Sequence, residues 1–169
     1  SNYLVVEACE YDSSFLNYFP KIIVVTNVDR EHLDYFKNFK NVVKAFKDFI
    51  LKLPDDGFLV ANKDDPNSKF KSQNVKWQFK IKNYSLRQKE AEKLKKILKV
   101  PGQHNVSNAL AALAVARILN IPDKISFKVF SEYNGSWRRF EIFEKKLKNP
   151  NKPKAINYKL ISDYGHHPT

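Results

Sequence analysis

Cysteine, methionine and long apolar runs are what this sequence lacks. Its 169 residues include one cysteine, Cys9, and no methionine. A single cysteine excludes an intrachain disulfide and fits a reducing compartment. No apolar run is long enough to span a membrane, and the first residues carry no signal-peptide pattern. We therefore expect a cytoplasmic protein with no membrane segment.

Acidic residues are also scarce relative to basic ones. The chain has 18 Asp and Glu against 30 Lys and Arg, which gives a formal net charge of +12. Such basic chains often bind nucleic acids, membranes or small anions. The densest basic run, residues 87–99, is interrupted by Glu90 and Glu92, which favours a solvated, lysine-rich surface. A nucleic-acid-binding module stays an alternative, although it leaves the acidic clusters described below unexplained.

Apolar runs and helical spacing divide the chain into alternating strands and helices. Hydrophobic residues make up 43% of the composition, enough for one core in a chain of this length. Strands are predicted at the short apolar runs of residues 3–8, 21–26, 58–61 and 75–81. Helices are predicted over residues 41–53, 88–98, 105–120 and 123–132, and Asp64 or Asp65 is placed to cap a short additional one. This succession predicts an α/β domain with a mainly parallel sheet.

A second unit is predicted after Gly135. Asn134-Gly135 marks a turn, and residues 140–143 and 159–162 read as strands on either side of a loop rich in Lys, Asn and Pro. We place the boundary so that residues 1–136 form one domain and residues 137–169 begin another. Because an apolar strand-like run starts at residue 3, we expect the beginning of the first domain to lie elsewhere.

Acidic clusters follow the first two predicted strands. One runs from Glu7 to Asp12, and the other runs from Thr26 to Asp34 and includes His32. Ligands of open α/β sheets bind near the carboxyl ends of strands, and clustered carboxylates suit a hard divalent cation. A solvated acidic turn and a structural histidine stay open as alternatives, because Mg²⁺ usually prefers oxygen ligands.

A third cluster opens the alanine-rich helix. Gly102 permits a tight turn, and Asn105 and Asn108 lie one helical turn apart, so both amides can face one ligand. An Asn amide matches the donor–acceptor edge of adenine. Ordinary helix capping would explain Asn105, but it would not explain His104 or Asn108.

A fourth cluster joins a pair of arginines to the end of the chain. The forked guanidinium groups of Arg138 and Arg139 suit phosphate oxygens, and Asp163 suits ribose hydroxyls. The adjacent His166 and His167 point in different directions, so one shared metal ion is not expected. This segment looks like an active-site turn.

Taken in order, these clusters resemble the Mur ligases, the ATP-dependent amide ligases of peptidoglycan synthesis. The matching stretches are Glu7-Ala8-Cys9-Glu10, Thr26-Asn27 through His32-Leu33-Asp34, Gly102-Gln103-His104-Asn105 with Asn108, Arg138-Arg139-Phe140, and Asp163-Tyr164-Gly165-His166-His167-Pro168-Thr169. The resemblance runs from residue 3 to the end, apart from residues 69–98. The ending is typical of the branch that adds L-alanine, whereas the branch that recycles a tripeptide typically has Phe-Ala in place of Tyr164-Gly165.

The resemblance implies both a fold and a reaction. The fold would be the three-layer, mainly parallel sheet of the P-loop-type Mur ligase central domain, incomplete at its N-terminus, followed by the start of a Rossmann-like C-terminal domain. ATP and Mg²⁺ would activate the lactyl carboxylate of UDP-N-acetylmuramate to an acyl phosphate, which the amine of L-alanine would attack. The missing N-terminal and C-terminal domains would be partners in this reaction.

The resemblance also implies roles for individual residues. Mg²⁺ would be held by Glu7 and His32. Asn105 and Asn108 would contact the adenine region, and His104 would support that turn. Arg138, Arg139 and Asp163 would contact the nucleotide, and Arg139 would also stabilise charge during the reaction. His166 and Tyr164 would face the reacting substrates. Arginine and metal suit this chemistry because the acyl phosphate and its transition states are strongly anionic.

The sequence departs from the family pattern in three ways. It contains no Gly-Lys-Thr phosphate loop, Cys9 stands where the family usually has Asp, and Ser162 stands where it has the first of two Asp residues. The loop supplies the backbone N–H groups and the lysine that hold phosphates. We therefore expect the 169-residue chain alone to have no ligase activity.

Overall fold

A small parallel sheet lies at the centre of the molecule. The computed structural model of the chain describes residues 3–68, 77–136, 141–147 and 156–163. Strands β1 (Ile22–Val25), β2 (Phe58–Asn62) and β3 (Lys80–Tyr84) pair in the order β1-β2-β3, and both ladders are parallel. The carboxyl ends of the three strands therefore lie along one edge of the sheet, which we call the carboxyl edge.

Five α-helices and one 3₁₀ segment surround the sheet in the described residues. They are the 3₁₀ segment Tyr11–Asn17, α1 (Leu33–Phe36), α2 (Phe39–Ile50), α3 (Glu90–Ile97), α4 (Gln103–Ile118) and α5 (Asp123–Glu132). Local sequence explains several of their ends. The Asn38 side chain caps α2 by accepting a hydrogen bond from the Asn41 N–H at 3.0 Å. Acidic residues begin α3 and lysines end it, which complements the helix dipole.

Side chains alternate between two cores on opposite faces of the sheet. Ile23, Val25, Leu59 and Ala61 pack into one core with α2 and with Phe15 of the 3₁₀ segment. Ile22 and Val60 point the other way, into a second core formed with α3 and α4. This alternation is the two-residue period of a strand. The three-layer α/β architecture expected from the sequence is therefore confirmed.

The predicted strand at residues 3–8 is wrong, because those residues form no ladder in the structure. Their apolar composition favours a strand, but a strand also needs a neighbour to complete its hydrogen bonds. Within the described residues, β1 pairs with β2 alone. Leu4 and Val5 accordingly stay 88% and 93% exposed.

Two other predictions in this domain need correction. The strand expected at residues 75–81 lies at Lys80–Tyr84 instead, and the part of the expected span before residue 77 lies outside the described residues. Here the pairing register with β2, and not the local apolar run, decides where the strand lies. Among the described residues, which end at Ser68 on this side, Asp64 and Asp65 cap no helix; their carboxylates accept hydrogen bonds from the loops that follow β3 and β1, respectively.

The helices agree more closely with the sequence. Those predicted over residues 41–53, 88–98 and 105–120 appear with ends shifted by a few residues, and the one over residues 123–132 has the predicted bounds. The strands expected near residues 140–143 and 159–162 appear as an antiparallel pair, β4 (Glu141–Leu147) and β5 (Ile156–Ser162). The domain boundary after residue 136 stays a prediction. Among the described residues, no helix has the length and apolarity to cross a membrane.

Candidate functional site

Side chains that follow β2 bind the loops that follow its two neighbours. The Asn62 amide donates to the Thr26 carbonyl at 2.9 Å, which joins the ends of β2 and β1. On the other side, the Asp64 carboxylate accepts from the Ser85 hydroxyl and the Leu86 N–H, each at 2.7 Å. Partial burial would raise the pKa of Asp64, but these hydrogen bonds outweigh it and the pKa is lowered. Side-chain hydrogen bonds therefore join the ends of all three strands along the carboxyl edge.

His32 lies in the loop between β1 and α1 and has an unusual backbone. Its φ of 55° and ψ of 39° place it in the left-handed region, which a residue other than glycine adopts at some energetic cost. The turn is held because the His32 carbonyl accepts from the N–H groups of Tyr35 at 3.0 Å and Phe36 at 2.9 Å. The Tyr11 ring meets the imidazole edge-on, with 5.1 Å between ring centroids.

His32 meets two carboxylates at this point. Its Nε2 atom lies 3.5 Å from Oε1 of Glu10. Ligand atoms of Glu10, Glu31 and His32 all lie within 4.8 Å of one another, and all three residues are half-buried. Two carboxylates and one imidazole on facing loops match the donors that a divalent cation takes, so these residues fit a metal ion.

The structure brings together only part of the predicted metal set. His32 belongs to the group, whereas Glu7 is exposed and lies outside it. The role of Glu7 stays a prediction. Glu10 and Glu31 were visible in the sequence as members of the two acidic clusters, but nothing local distinguished them from their neighbours. A left-handed turn at Asp12 and Ser13, with φ of 53° and 55°, begins two residues after Glu10 and redirects the chain there.

The start of α4 holds the three residues expected near adenine. Gly102 precedes the helix with a φ of 101°, and the imidazole of His104 lies against it. Asn105 does not cap the helix; its amide donates to the Pro101 carbonyl at 2.6 Å. Asn108 is exposed one turn further on. The Asn105 amide therefore fixes the turn before the helix, whereas His104 and Asn108 are the exposed members of the three.

Tyr84, the last residue of β3, links α4 to the carboxyl edge. Its side chain is almost completely buried, and its hydroxyl lies beside Ser107 without a well-formed hydrogen bond among the described residues. Burial raises the pKa of this hydroxyl, the Ser107 side chain opposes the change, and the nearby carboxylates of Asp65 and Asp64 add to it. The tyrosine therefore stays neutral at physiological pH.

The rest of the predicted site lies mostly beyond the described residues. Asp163 follows β5 and is exposed. Arg138, Arg139, Tyr164 and His166 lie outside the described residues, so their roles stay predictions.

Comparison with known proteins agrees with the order of these motifs. Residues 1–116 match the family model described as the Mur ligase middle domain. The chain belongs to the Mur ligase family. Proteins named UDP-N-acetylmuramate--L-alanine ligase match it along nearly its whole length. The one from Caldanaerobacter subterraneus subsp. tengcongensis is 35% identical over 99% of this chain, and the one from Caldicellulosiruptor saccharolyticus is 40% identical over all of it.

This Mur ligase chain spans only about two fifths of those relatives, 39% and 40% of their respective lengths. Solved structures agree on the fold. A crystal structure of MurF from Acinetobacter baumannii has a TM-score of 0.60 at 15% identity, with 89% of this chain and 35% of that one covered. A UDP-N-acetylmuramate:L-alanyl-gamma-D-glutamyl-meso-diaminopimelate ligase from Neisseria meningitides has a TM-score of 0.60 at 18% identity, over 74% of this chain and 44% of that one.

Proposed function

We propose that this chain is the middle, ATP-binding part of a cytoplasmic ligase of peptidoglycan biosynthesis that joins L-alanine to UDP-N-acetylmuramate. The observation that carries the proposal is that Glu10, Glu31 and His32 converge beside the carboxyl edge of a Mur ligase middle domain. The printed names of the relatives, at 35% and 40% identity, support the L-alanine branch. The Tyr164-Gly165 pair supports the same branch.

The metal-binding part of the proposal concerns the loops at the carboxyl edge. We assign Mg²⁺ to His32 with Glu10 and Glu31, and we keep Glu7 as a further ligand proposed from the family pattern. A bound divalent cation supplies Lewis acidity and neutralises phosphate charge in this kind of reaction. The protein's own contribution is to hold the imidazole and carboxylates facing one another before the ion arrives, through the left-handed His32 turn and the Tyr11 ring.

The nucleotide and substrate contacts come from α4 and from the end of the chain. We assign Asn108 and His104 to the adenine region, with Asn105 stabilising the preceding turn through Pro101. The remaining proposed contacts are Arg138, Arg139 and Asp163 for the nucleotide, and His166 and Tyr164 for the reacting substrates. Guanidinium groups suit this place because charge accumulates on phosphate oxygens during acyl phosphate formation.

We further propose that the 169-residue chain alone does not catalyse the reaction. None of its four glycines is followed by lysine, so it holds no Gly-Lys-Thr loop for phosphate. We expect no L-alanine-dependent phosphate release from ATP and UDP-N-acetylmuramate. Turnover by the isolated chain would overturn this part of the proposal.

A graft tests the function itself. The segment of the Caldicellulosiruptor saccharolyticus ligase that matches this chain, 40% of that protein, is replaced by this chain. We expect the graft to release phosphate from ATP when UDP-N-acetylmuramate and free L-alanine are both present. The parent ligase and a graft with Asn108→Ala are measured beside it, and thermal unfolding verifies that every protein is folded.

The substrates in this assay separate the alternatives. Phosphate release with a preformed tripeptide and not with L-alanine would assign the chain to the recycling branch. A folded graft that is inactive with either amine, combined with salt-sensitive binding of the isolated chain to arbitrary DNA, would favour the basic nucleic-acid-binding module.

A further inference from the structure

The Asp65 carboxylate collects three hydrogen bonds just after β2. Oδ2 accepts from the Val28 N–H at 2.9 Å and also from the Ser68 hydroxyl. Oδ1 accepts from the Asn67 N–H at 3.0 Å. Asp65 is half-buried and Ser68 is buried. Because the bond to Val28 crosses from the loop after β2 to the loop after β1, this carboxylate joins segments 37 residues apart in sequence.

Both polar groups of the Val28 backbone are bound by this same segment. While Asp65 accepts from its N–H, the Asn67 amide donates to its carbonyl at 2.9 Å. The Val28 side chain is 1% exposed in the described structure. The middle of the loop that leads from β1 to His32 is therefore fixed by its backbone as well as by its side chain.

The loop needs an external anchor because its far end carries a strained residue. His32 has a left-handed backbone and meets Glu10 at 3.5 Å across a separate segment. A small displacement of the loop would move Glu31 and His32 together away from Glu10, which lies on a separate segment, and would lengthen the contact between His32 and Glu10. Removing a group that is hydrogen-bonded directly to a metal ligand typically changes metal affinity by about 10-fold to 100-fold. Asp65 acts one step further away, through Val28, so the lower end of that range is expected for it.

We propose that Asp65 is a positioning residue, which holds the β1–α1 loop through Val28 so that His32 faces Glu10 and Glu31. The consequence for metal binding rests on the proposed function, whereas the consequence for loop position does not. Asp64 provides a matched control. It is the adjacent carboxylate, but it binds Ser85 and Leu86 on the other side of β2 and makes no recorded hydrogen bond to the His32 loop among the described residues.

The first experiment measures loop position in the metal-free chain by NMR. We expect Asp65→Asn to increase the exchange rate of the Val28 amide by about 10-fold or more and to weaken the Tyr11–His32 ring contact, because the amide group cannot accept all three hydrogen bonds. Asp64→Asn should change neither signal. Asn67→Ala removes only the side-chain hydrogen bond to the Val28 carbonyl, so it should increase the exchange rate and weaken the ring contact to a smaller extent. This variant tests the inference if Asp65→Asn does not fold.

The second experiment titrates each folded variant with Mn²⁺ and follows the broadening of the His32 imidazole signal. We expect Asp65→Asn to require about 10-fold more Mn²⁺ than the wild type or Asp64→Asn. The inference would be overturned if the Val28 amide exchange rate and the Tyr11–His32 contact were unchanged in both Asp65→Asn and Asn67→Ala. It would also be overturned if the wild type bound Mn²⁺ at His32 and Asp65→Asn bound it with the same affinity. Failure of the wild type to bind Mn²⁺ would count against the proposed metal site, and the amide exchange would still decide the role of Asp65.

Discussion

Single residues with positive φ set the geometry of the candidate site. Asp12, Ser13 and His32 all adopt left-handed backbones, and these turns bring Glu10 next to the imidazole. Sequence reasoning found His32 through its place in a motif. It did not find the pairing with Glu10 and Glu31, because left-handed backbones at residues other than glycine are uncommon and depend on tertiary contacts that the local sequence does not specify.

Gly102 is the residue whose replacement should disturb α4 most directly. Its φ of 101° is strained for any other residue, and an added Cβ would lie 2.5 Å from Cε1 of His104. We expect Gly102→Ala to lower the free energy of unfolding by about 1–3 kcal/mol, measured by urea denaturation. In a His104→Ala background, the destabilisation that comes from the clash with the imidazole should disappear, and the destabilisation that comes from the strained backbone should persist. A neutral Gly102→Ala variant would contradict the geometry of this turn.

At the scale of elements, helices were more predictable than strands. Apolar spacing and the proline before α5 are local signals, so the bounds of that helix follow from nearby residues. A strand depends on partners far along the chain. The run at residues 3–8 lacks such a partner in the described structure. The bounds of β3 follow from its pairing register with β2. Burial alternation along β1 and β2 then fixes which helices cover each face.

Arg117 links three helices through ion pairs. It donates from α4 to Glu90 at the start of α3 and to Asp123 at the start of α5, each at 2.7 Å. Its hydrogen bond to Glu90 lowers the pKa of that carboxyl below the ordinary value of 4.5, while partial burial opposes the change. The folded state therefore binds a proton at Glu90 less readily than the unfolded state does.

Removing this carboxylate should give a pH-dependent loss of stability. We expect Glu90→Gln to lower the free energy of unfolding by about 1 kcal/mol near pH 7, a modest figure because the Arg117 side chain is 43% exposed. Because the pKa of Glu90 is lower in the folded state, its ionised carboxylate stabilises the protein at pH values above the ordinary pKa of 4.5. This stabilisation is lost as the pH falls through the pKa of the folded state. Urea unfolding near pH 7 and near pH 3 measures the difference. Glu92→Gln, on the exposed side of α3, is the control, and an equal loss at both pH values would contradict the ion pair.

The packing of α4 on the sheet gives a second prediction at this scale. Leu110 is fully buried in the core shared with Val60 and Leu94. We expect Leu110→Ala to cost about 2–5 kcal/mol of unfolding free energy, because truncation removes apolar contacts and leaves a cavity. The exposed Ala112 lies on the same helix, and Ala112→Ser should change stability far less. Equal effects of the two substitutions would mean that α4 does not cover the sheet as described.

For the whole molecule, the order of motifs along the sequence is enough to predict both the family and the three-layer fold. It also predicted a boundary after residue 136, near the turn at Gly135. The antiparallel pair β4–β5 is a separate sheet from β1–β3. If the boundary is correct, a polypeptide of residues 1–136 should unfold at the same urea midpoint as the full chain. A clearly lower midpoint would mean that the later residues belong to the same cooperative unit.

We propose that this chain supplies the metal–nucleotide part of an L-alanine-adding Mur ligase. The most direct test of this proposal is the Mg²⁺ dependence of L-alanine-dependent phosphate release by the graft with the Caldicellulosiruptor saccharolyticus ligase, with and without His32→Ala. We predict that the His32→Ala graft stays folded and needs at least about 10-fold more Mg²⁺ for half-maximal activity. An active graft whose Mg²⁺ requirement is unchanged by His32→Ala would contradict the assignment of His32 to Mg²⁺.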